Sequence, residues 1–256
     1  MAQTLDETGR HGPIELVRTL TRWAGSTPWV SWLELSGSLG RGGGDEGSDV
    51  DAGIGVSEPN RLDDVEAAIG EFGQKVAGYR EPFGSESTHL VTVYRDGRQL
   101  SLVVMPSTAR AGLPPEAVAL VDKNRRLQAP IDRARWDPDD AQKRRWTFAA
   151  CLAAADAMKH SARGNRWRAL RSLDEGRDLY FRLLAADQGV VFPQFGAVSL
   201  ENAQRPIPST LAMTVPVDLE PSSIASAVRA LVEHLDGFID AHHLRGLASA
   251  LDFPLH

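Results

Sequence analysis

One cysteine, Cys151, stands in a chain of 256 residues, which excludes an intramolecular disulfide framework and any zinc site built from several thiolates. It lies in an alanine-rich helical run, where a buried, inert thiol is expected. Long apolar runs are also missing. The longest apolar-leaning stretch, Phe148 to Met158, is mostly alanine and is broken by Asp156, well short of the ~20 residues that span a bilayer. The opening residues MAQTLDETGRHG have neither a basic start nor an apolar segment, so no secretory signal is read and the cytoplasm is the expected compartment, with no membrane partner. Positive charge is in deficit: 28 Lys and Arg against 34 Asp and Glu give a formal charge of −6. That balance argues against a protein built mainly to hold duplex nucleic acid by its phosphates, while leaving room for a local basic pocket. No internal repeat or low-complexity tract is present. What the chain does have, 42% hydrophobic and 24% charged residues, suits a folded protein with a sizeable core, and its length suits two ordinary domains.

The first half reads as mixed α/β. Ile14, Val17, Leu20 and Trp23 recur at helical spacing after Pro13, a residue favoured in a first helical turn. Trp29 to Leu35 reads as a strand, the glycine-rich loop 37–48 follows, and Val50 to Val56 reads as a second strand. A helix is expected from about Leu62 to Val76, with Val65, Ile69, Phe72 and Val76 as its apolar stripe. Ser87 to Tyr94 and Arg98 to Met105 are strand-like, joined at Arg95-Asp96-Gly97 by a hairpin signal, and Ala117 to Val121 suits a short edge strand. After Pro130 and Pro138 the pattern becomes helical, over about Ala141–Arg163, Arg166–Ala186 and Ser222–Leu244. The Pro-rich segment 194–223 reads as a long connection, a kind that is often functional. The expectation is an α+β chain, with a mixed sheet and helices over residues 1–133 and a helical bundle over 134–256. Trp136, Trp146 and Phe148 are expected to pack at the junction.

Three phosphate-loop readings compete for the glycine loop. Gly42, Gly44 and Gly47 satisfy G-x-G-x-x-G, but a strand-like segment follows where the dinucleotide motif needs a helix. A Walker A loop needs lysine after its last glycine, and Ser48 stands there. A calcium loop starting at Asp49 needs an oxygen ligand and then glycine where Gly53 and Ile54 stand. What remains is Gly37-Ser38, Arg41-Gly42 and Ser48-Asp49-Val50-Asp51. Residues two apart on a strand share a face, so Asp49 and Asp51 can converge on one hard cation such as Mg²⁺. Gly37 lets a phosphate approach the main chain, Ser38 offers a hydroxyl and an N–H, and Arg41 and Ser48 add charge and a further hydroxyl.

These residues, at these spacings, resemble the signature of the polymerase-β-like nucleotidyltransferase superfamily. With helices after the α/β half, the chain is most similar to its small-molecule members, the aminoglycoside and lincosamide nucleotidyltransferases. The motif covers about residues 30–56, and the broader architecture nearly the whole chain. The resemblance implies Mg²⁺-dependent transfer of a nucleoside monophosphate, usually AMP from ATP, to a hydroxyl of a small acceptor such as an antibiotic. It implies Asp49 and Asp51 as catalytic metal ligands, Gly37, Ser38, Arg41 and Ser48 as nucleotide contacts, and a helical domain that closes the acceptor cleft.

One departure matters. The family pattern places a third carboxylate on a later strand, and by register Ser101 holds that position. Serine brings no charge and is a poor base. Either another acid supplies the function, with Glu86, Asp156, Asp174, Glu175 and Asp178 as candidates, or the chain is a catalytically weakened nucleotide sensor or an antitoxin-like partner protein. Among basic residues, Lys159 and Arg177 are candidates for the triphosphate. The cluster Arg163, Arg166, Arg168 and Arg171 around Trp167 suits either a solvated face or a base-stacking surface. His242 and His243 point about 100° apart on a helix and do not form the i, i+4 pair of a zinc site.

Overall fold

The computed structural model describes residues 12–251; most of the amino-terminal segment read above for a signal lies outside them. Two compact units part between Asp132 and Arg133.

The first unit is built on a six-stranded sheet. The chain runs through α1 (Pro13–Ser26), β1 (Val30–Leu35), the single-turn α2 (Gly37–Gly40), β2 (Val50–Val56), α3 (Leu62–Gly70), β3 (Lys75–Phe83), β4 (Ser87–Tyr94), β5 (Gln99–Pro106) and β6 (Val118–Asp122). The strand order is β3-β4-β5-β2-β1-β6. Only β2 and β5 are parallel; every other neighbouring pair is antiparallel.

Alternation gives the sheet two unlike faces. Ala52, Ile54 and Val56 of β2, Leu100, Leu102 and Val104 of β5, and Leu90 and Tyr94 of β4 join Leu16, Leu20 and Ala24 of α1 and Val65 and Ile69 of α3 in one core. Each leucine fully removed from water there contributes about 2 kcal/mol. The Tyr94 hydroxyl donates to the Ile69 carbonyl at 2.6 Å, and burial pushes its pKa up to about 12. The opposite face carries Asp51, Gly53 and Gly55 of β2. These glycines make room for β1: a Cβ at Gly53 would lie 2.6 Å from Oε1 of Glu34, and one at Gly55 would overlap the Trp32 ring. Trp32 is held by its indole N–H, which donates to the Ser107 carbonyl at 2.9 Å.

Two sequence expectations change. The buried stripe of α1 is Leu16, Val17, Leu20 and Ala24, and Ile14 is exposed. Helix α3 stops at Gly70 rather than Val76, and Val76 lies exposed on β3. Glycines at 70 and 73 weaken a continuing helix, and the chain turns into an edge strand that the apolar pattern hid. Strand β6 pairs with β1 at the opposite edge, and Gly97 of the β4–β5 turn has φ +88°, as the hairpin signal requires.

The second unit holds α4 (Asp140–Ala162), α5 (Arg166–Asp187), α6 (Ala197–Asn202), α7 (Pro221–Ala241) and α8 (Arg245–Ala250). Asp139 caps α4 by accepting from the Gln142 N–H at 2.6 Å. Small residues bring α4, α5 and α7 together: a Cβ on Gly176 of α5 would lie 2.9 Å from Leu231 of α7 and 3.5 Å from the Ala153 Cβ of α4. Cys151 is buried in this core, with its thiol pushed up to about 11 by burial. The segment 194–223 is not a featureless connection: it contains α6 and a 3₁₀ turn over Ser209–Thr214. Trp146 belongs to the helical unit's own core, Trp136 packs edge-on against Phe192, and Phe148 is exposed. Among the described residues, no helix is long and apolar enough to cross a membrane.

Candidate active site

The polar face of the sheet draws one residue from each of four adjacent strands into a line. Glu81 of β3 sits directly opposite His89 of β4, and Asp51 of β2 directly opposite Ser101 of β5. His89 and Ser101 are diagonal neighbours, since Val91 opposes Ser101 and Val103 opposes His89; long side chains reach across that spacing. The contacts are explicit. Nδ1 of His89 lies 3.2 Å from Oε1 of Glu81, and Nε2 of His89 lies 2.9 Å from Oγ of Ser101. Ser101 in turn faces Asp51 across the β2–β5 pair. The Phe83 ring packs edge-on against the His89 ring, with centroids 6.2 Å apart.

The glycine loop closes on the Asp51 end of this line. The Ser36 N–H donates to the Asp51 carbonyl at 2.8 Å, and Gly37 has φ +63°, a left-handed conformation that favours glycine. A side chain at Gly37 would overlap Oδ2 of Asp51, so this glycine is required both by its backbone and by the carboxylate beside it. Ser38 follows in the single turn of α2, half-buried. Arg41 is exposed at the end of that turn and pairs with Glu116 at 3.5 Å. The Ser48 hydroxyl donates to Oδ1 of Asp45 at 3.1 Å and accepts from the Asp45 N–H at 2.9 Å, which fixes the loop just before the acids. Asp49 is exposed and precedes β2.

Charge on Asp51 is disfavoured. Burial first, then repulsion from Asp49, raises its pKa above the ordinary carboxylate value, against the opposing pull of the Ser101 hydroxyl and the nearby Arg41 and His89. Two carboxylates offering hard oxygen atoms, one of them destabilised by the other, suit a divalent cation. Among the described residues, no group of three or more His, Cys, Asp and Glu side chains forms a complete metal cage. A Mg²⁺ ion characteristically needs only one or two carboxylates, with substrate phosphates and water completing its shell.

Other candidates fall elsewhere. Glu86 lies in the turn between β3 and β4, and the acid joined to Ser101 through His89 is Glu81. In the helical unit Lys159 pairs with Asp156, and Arg177 with Asp174 and, at 2.9 Å, the Thr214 carbonyl. Asp178 pairs with Arg182 at 2.7 Å. Trp167 is 75% exposed. His242 and His243 line a concavity of about 560 Å³ in this unit, with Lys143, Arg144, Asp140 and Asp187.

Three residues on the polar face escaped the sequence reading. Glu34 of β1 is 1% exposed; its Oε1 accepts from Nε and NH2 of Arg110 at 3.0 and 2.7 Å, and its Oε2 is buried without a partner. Burial raises its pKa, opposed by the bonds and charge of Arg110. An acid inside the apolar-looking run Val30–Leu35 gives no local signal. Glu81 was hidden with β3 itself. His89 was within reach, because the Asp96-Gly97 turn sets a hairpin register that puts it diagonal to Ser101.

No family model and no curated protein matches the chain. Among solved structures it is similar to an aminoglycoside 6-adenyltransferase from Bacillus subtilis, at 12% identity and a TM-score of 0.36 over 95% of this chain and 92% of that one. It is also similar to a nucleotidyltransferase-like protein from Exiguobacterium sibiricum, at 13% identity and a TM-score of 0.39 over 93% of this chain and 79% of that one.

Proposed function

We infer that the chain is a metal-dependent nucleotidyltransferase that moves a nucleoside monophosphate, AMP from ATP, onto a hydroxyl of a small molecule. The observation that carries this reading is the fit of Gly37 against Asp51, with Asp49 two residues away: a left-handed glycine beside paired carboxylates gives a phosphate chain and a hard cation adjoining places. Asp49 and Asp51 would hold Mg²⁺, which when bound supplies charge neutralisation for the triphosphate. Ser38 and Arg41 would bind phosphate oxygens, Arg41 by exchanging its exposed partner Glu116 for the ligand. Ser48 keeps the approach to Asp49 in shape through its bonds to Asp45. The acceptor, an aminoglycoside-like polyol in the leading version, would be held by the helical unit.

A second reading, a nucleotide-binding sensor or antitoxin-like partner without efficient turnover, is favoured by one observation: the residue opposite Asp51 is Ser101 and not an acid. Pyrophosphate release separates the two. The transferase reading expects release from Mg·ATP that rises at least tenfold with some member of a panel of aminoglycosides, lincosamides and other polyols. Tight Mg·ATP binding with no release across the panel supports the sensor instead.

A further inference from the structure

Where a third carboxylate would stand, the sheet carries a serine whose hydroxyl contacts a histidine, and that histidine contacts a second acid. The distances are 2.9 Å from Ser101 Oγ to His89 Nε2 and 3.2 Å from His89 Nδ1 to Glu81 Oε1. A nucleophile within hydrogen-bonding reach of a base, with the base oriented by a third group, is the general arrangement of an activated hydroxyl. The hydrogen-bond inventory gives the parts their direction. A carboxylate only accepts, so Glu81 places the ring proton on Nδ1, and the Nε2 lone pair then faces the Ser101 hydroxyl. All three residues lie on well-paired strands, and Phe83 packs against the imidazole, so their geometry is set by sheet register.

We propose that Ser101 is a nucleophile that takes a nucleoside monophosphate from a nucleoside triphosphate, with His89 as its base and Glu81 as the positioning residue of that base. The inference rests on the nucleotide reading of the Asp49–Asp51 site. Ser101 Oγ bonds to the α-phosphorus as the bond from that phosphorus to the bridging oxygen breaks. The electron pair of the broken bond leaves on pyrophosphate, and the hydroxyl proton passes to Nε2 of His89. The product is a serine phosphodiester, which water or an acceptor hydroxyl can then attack; the bond from phosphorus to the Ser101 oxygen breaks, that oxygen recovers its proton from His89, and the proton of the attacking hydroxyl passes to the freed Nε2. Chemistry would run in two steps through the protein, without a third acid to activate the acceptor directly.

The test uses the full chain with Mg²⁺ and, separately, ATP, GTP, CTP and UTP, with acid quench within the first turnover, intact-mass measurement and peptide mapping. Binding of each nucleotide is followed in parallel by calorimetry. The expected result is a mass gain of one nucleoside monophosphate, one equivalent of pyrophosphate, and an adduct mapped to Ser101. Ser101→Ala should bind nucleotide and form no adduct. His89→Asn should form it about 10²-fold or more slowly, as for loss of a general base, and Glu81→Gln should also slow it while leaving binding intact. Melting curves of each variant separate a lost fold from a lost nucleophile. Nucleotide binding without an adduct, or an adduct that persists in Ser101→Ala, overturns the proposal and leaves the nucleotide reading standing. No binding by the unaltered chain overturns both.

Discussion

Gly37 is in the left-handed region at φ +63°, and any side chain there would collide with Oδ2 of Asp51. Gly37→Ala therefore meets two penalties, a backbone conformation costing about 1–2 kcal/mol for a non-glycine residue and displacement of the carboxylate. We expect a stability loss of about 1–3 kcal/mol by chemical denaturation, with Mg·ATP binding lost by calorimetry. A variant that binds normally would detach the loop from the site.

Asp51 makes a pH-dependent contribution whose sign follows from its raised pKa. An acid with a higher pKa in the folded than in the unfolded state contributes stability that is fully present below its unfolded value, near 3.8, and is lost as pH rises through the raised folded value. At neutral pH and without metal, the ionised Asp51 thus weighs against folding. Asp51→Asn is expected to melt at a higher temperature than the parent at pH 7, with the gain shrinking toward pH 3. Mg²⁺ should stabilise the parent and not the variant. Thermal melts across that range with and without Mg²⁺ check both statements, and a lower melting temperature for apo Asp51→Asn at pH 7 would contradict them.

Glu34 is held in the sheet by Arg110, with its second oxygen buried and unpartnered. Removing the arginine strands a buried carboxylate, so Arg110→Ala is expected to cost about 3 kcal/mol in urea unfolding. The double change Glu34→Gln with Arg110→Met should recover most of that loss. If Arg110→Ala alone is neutral, the pair contributes nothing to the fold.

Ser101→Asp places a carboxylate opposite Asp51. Added ligand charge strengthens binding of hard cations, and Mn²⁺ titration should show affinity about tenfold higher than for the parent. In the absence of metal the third acid repels Asp51, so the same variant should melt lower. Unchanged Mn²⁺ affinity would place the cation elsewhere.

The chemistry-bearing loop was readable because its residues are close in sequence. Gly37, Asp49 and Asp51 lie within one loop and the strands that flank it; alternation along β2 puts Asp51 on the polar face, whereas Asp49 stands just before the strand. Ser101 could be placed because the family pattern singles out a position in the apolar strand Gln99–Pro106. What stayed hidden depends on long-range pairing. Strand β3 has every residue exposed and so no apolar rhythm, and without it Glu81 had no partner. Glu34 looks like a flaw in an apolar strand until Gly53 and Arg110 are placed around it. The α6 and 3₁₀ turns inside 194–223 are too short for helical periodicity to emerge. Gly70 and Gly73 were weaker signals than the apolar spacing that carried the expected α3 on to Val76.

The central claim is that Asp49 and Asp51 form a metal-dependent nucleotide site. Calorimetric titration of ATP into the full chain, with and without Mg²⁺, tests it most directly when repeated with Asp49→Ala and Asp51→Ala. The account predicts one ATP per chain, dependent on Mg²⁺, and its loss in both variants with the fold intact. Binding that is absent in the parent, independent of Mg²⁺ or unchanged in the variants would contradict it.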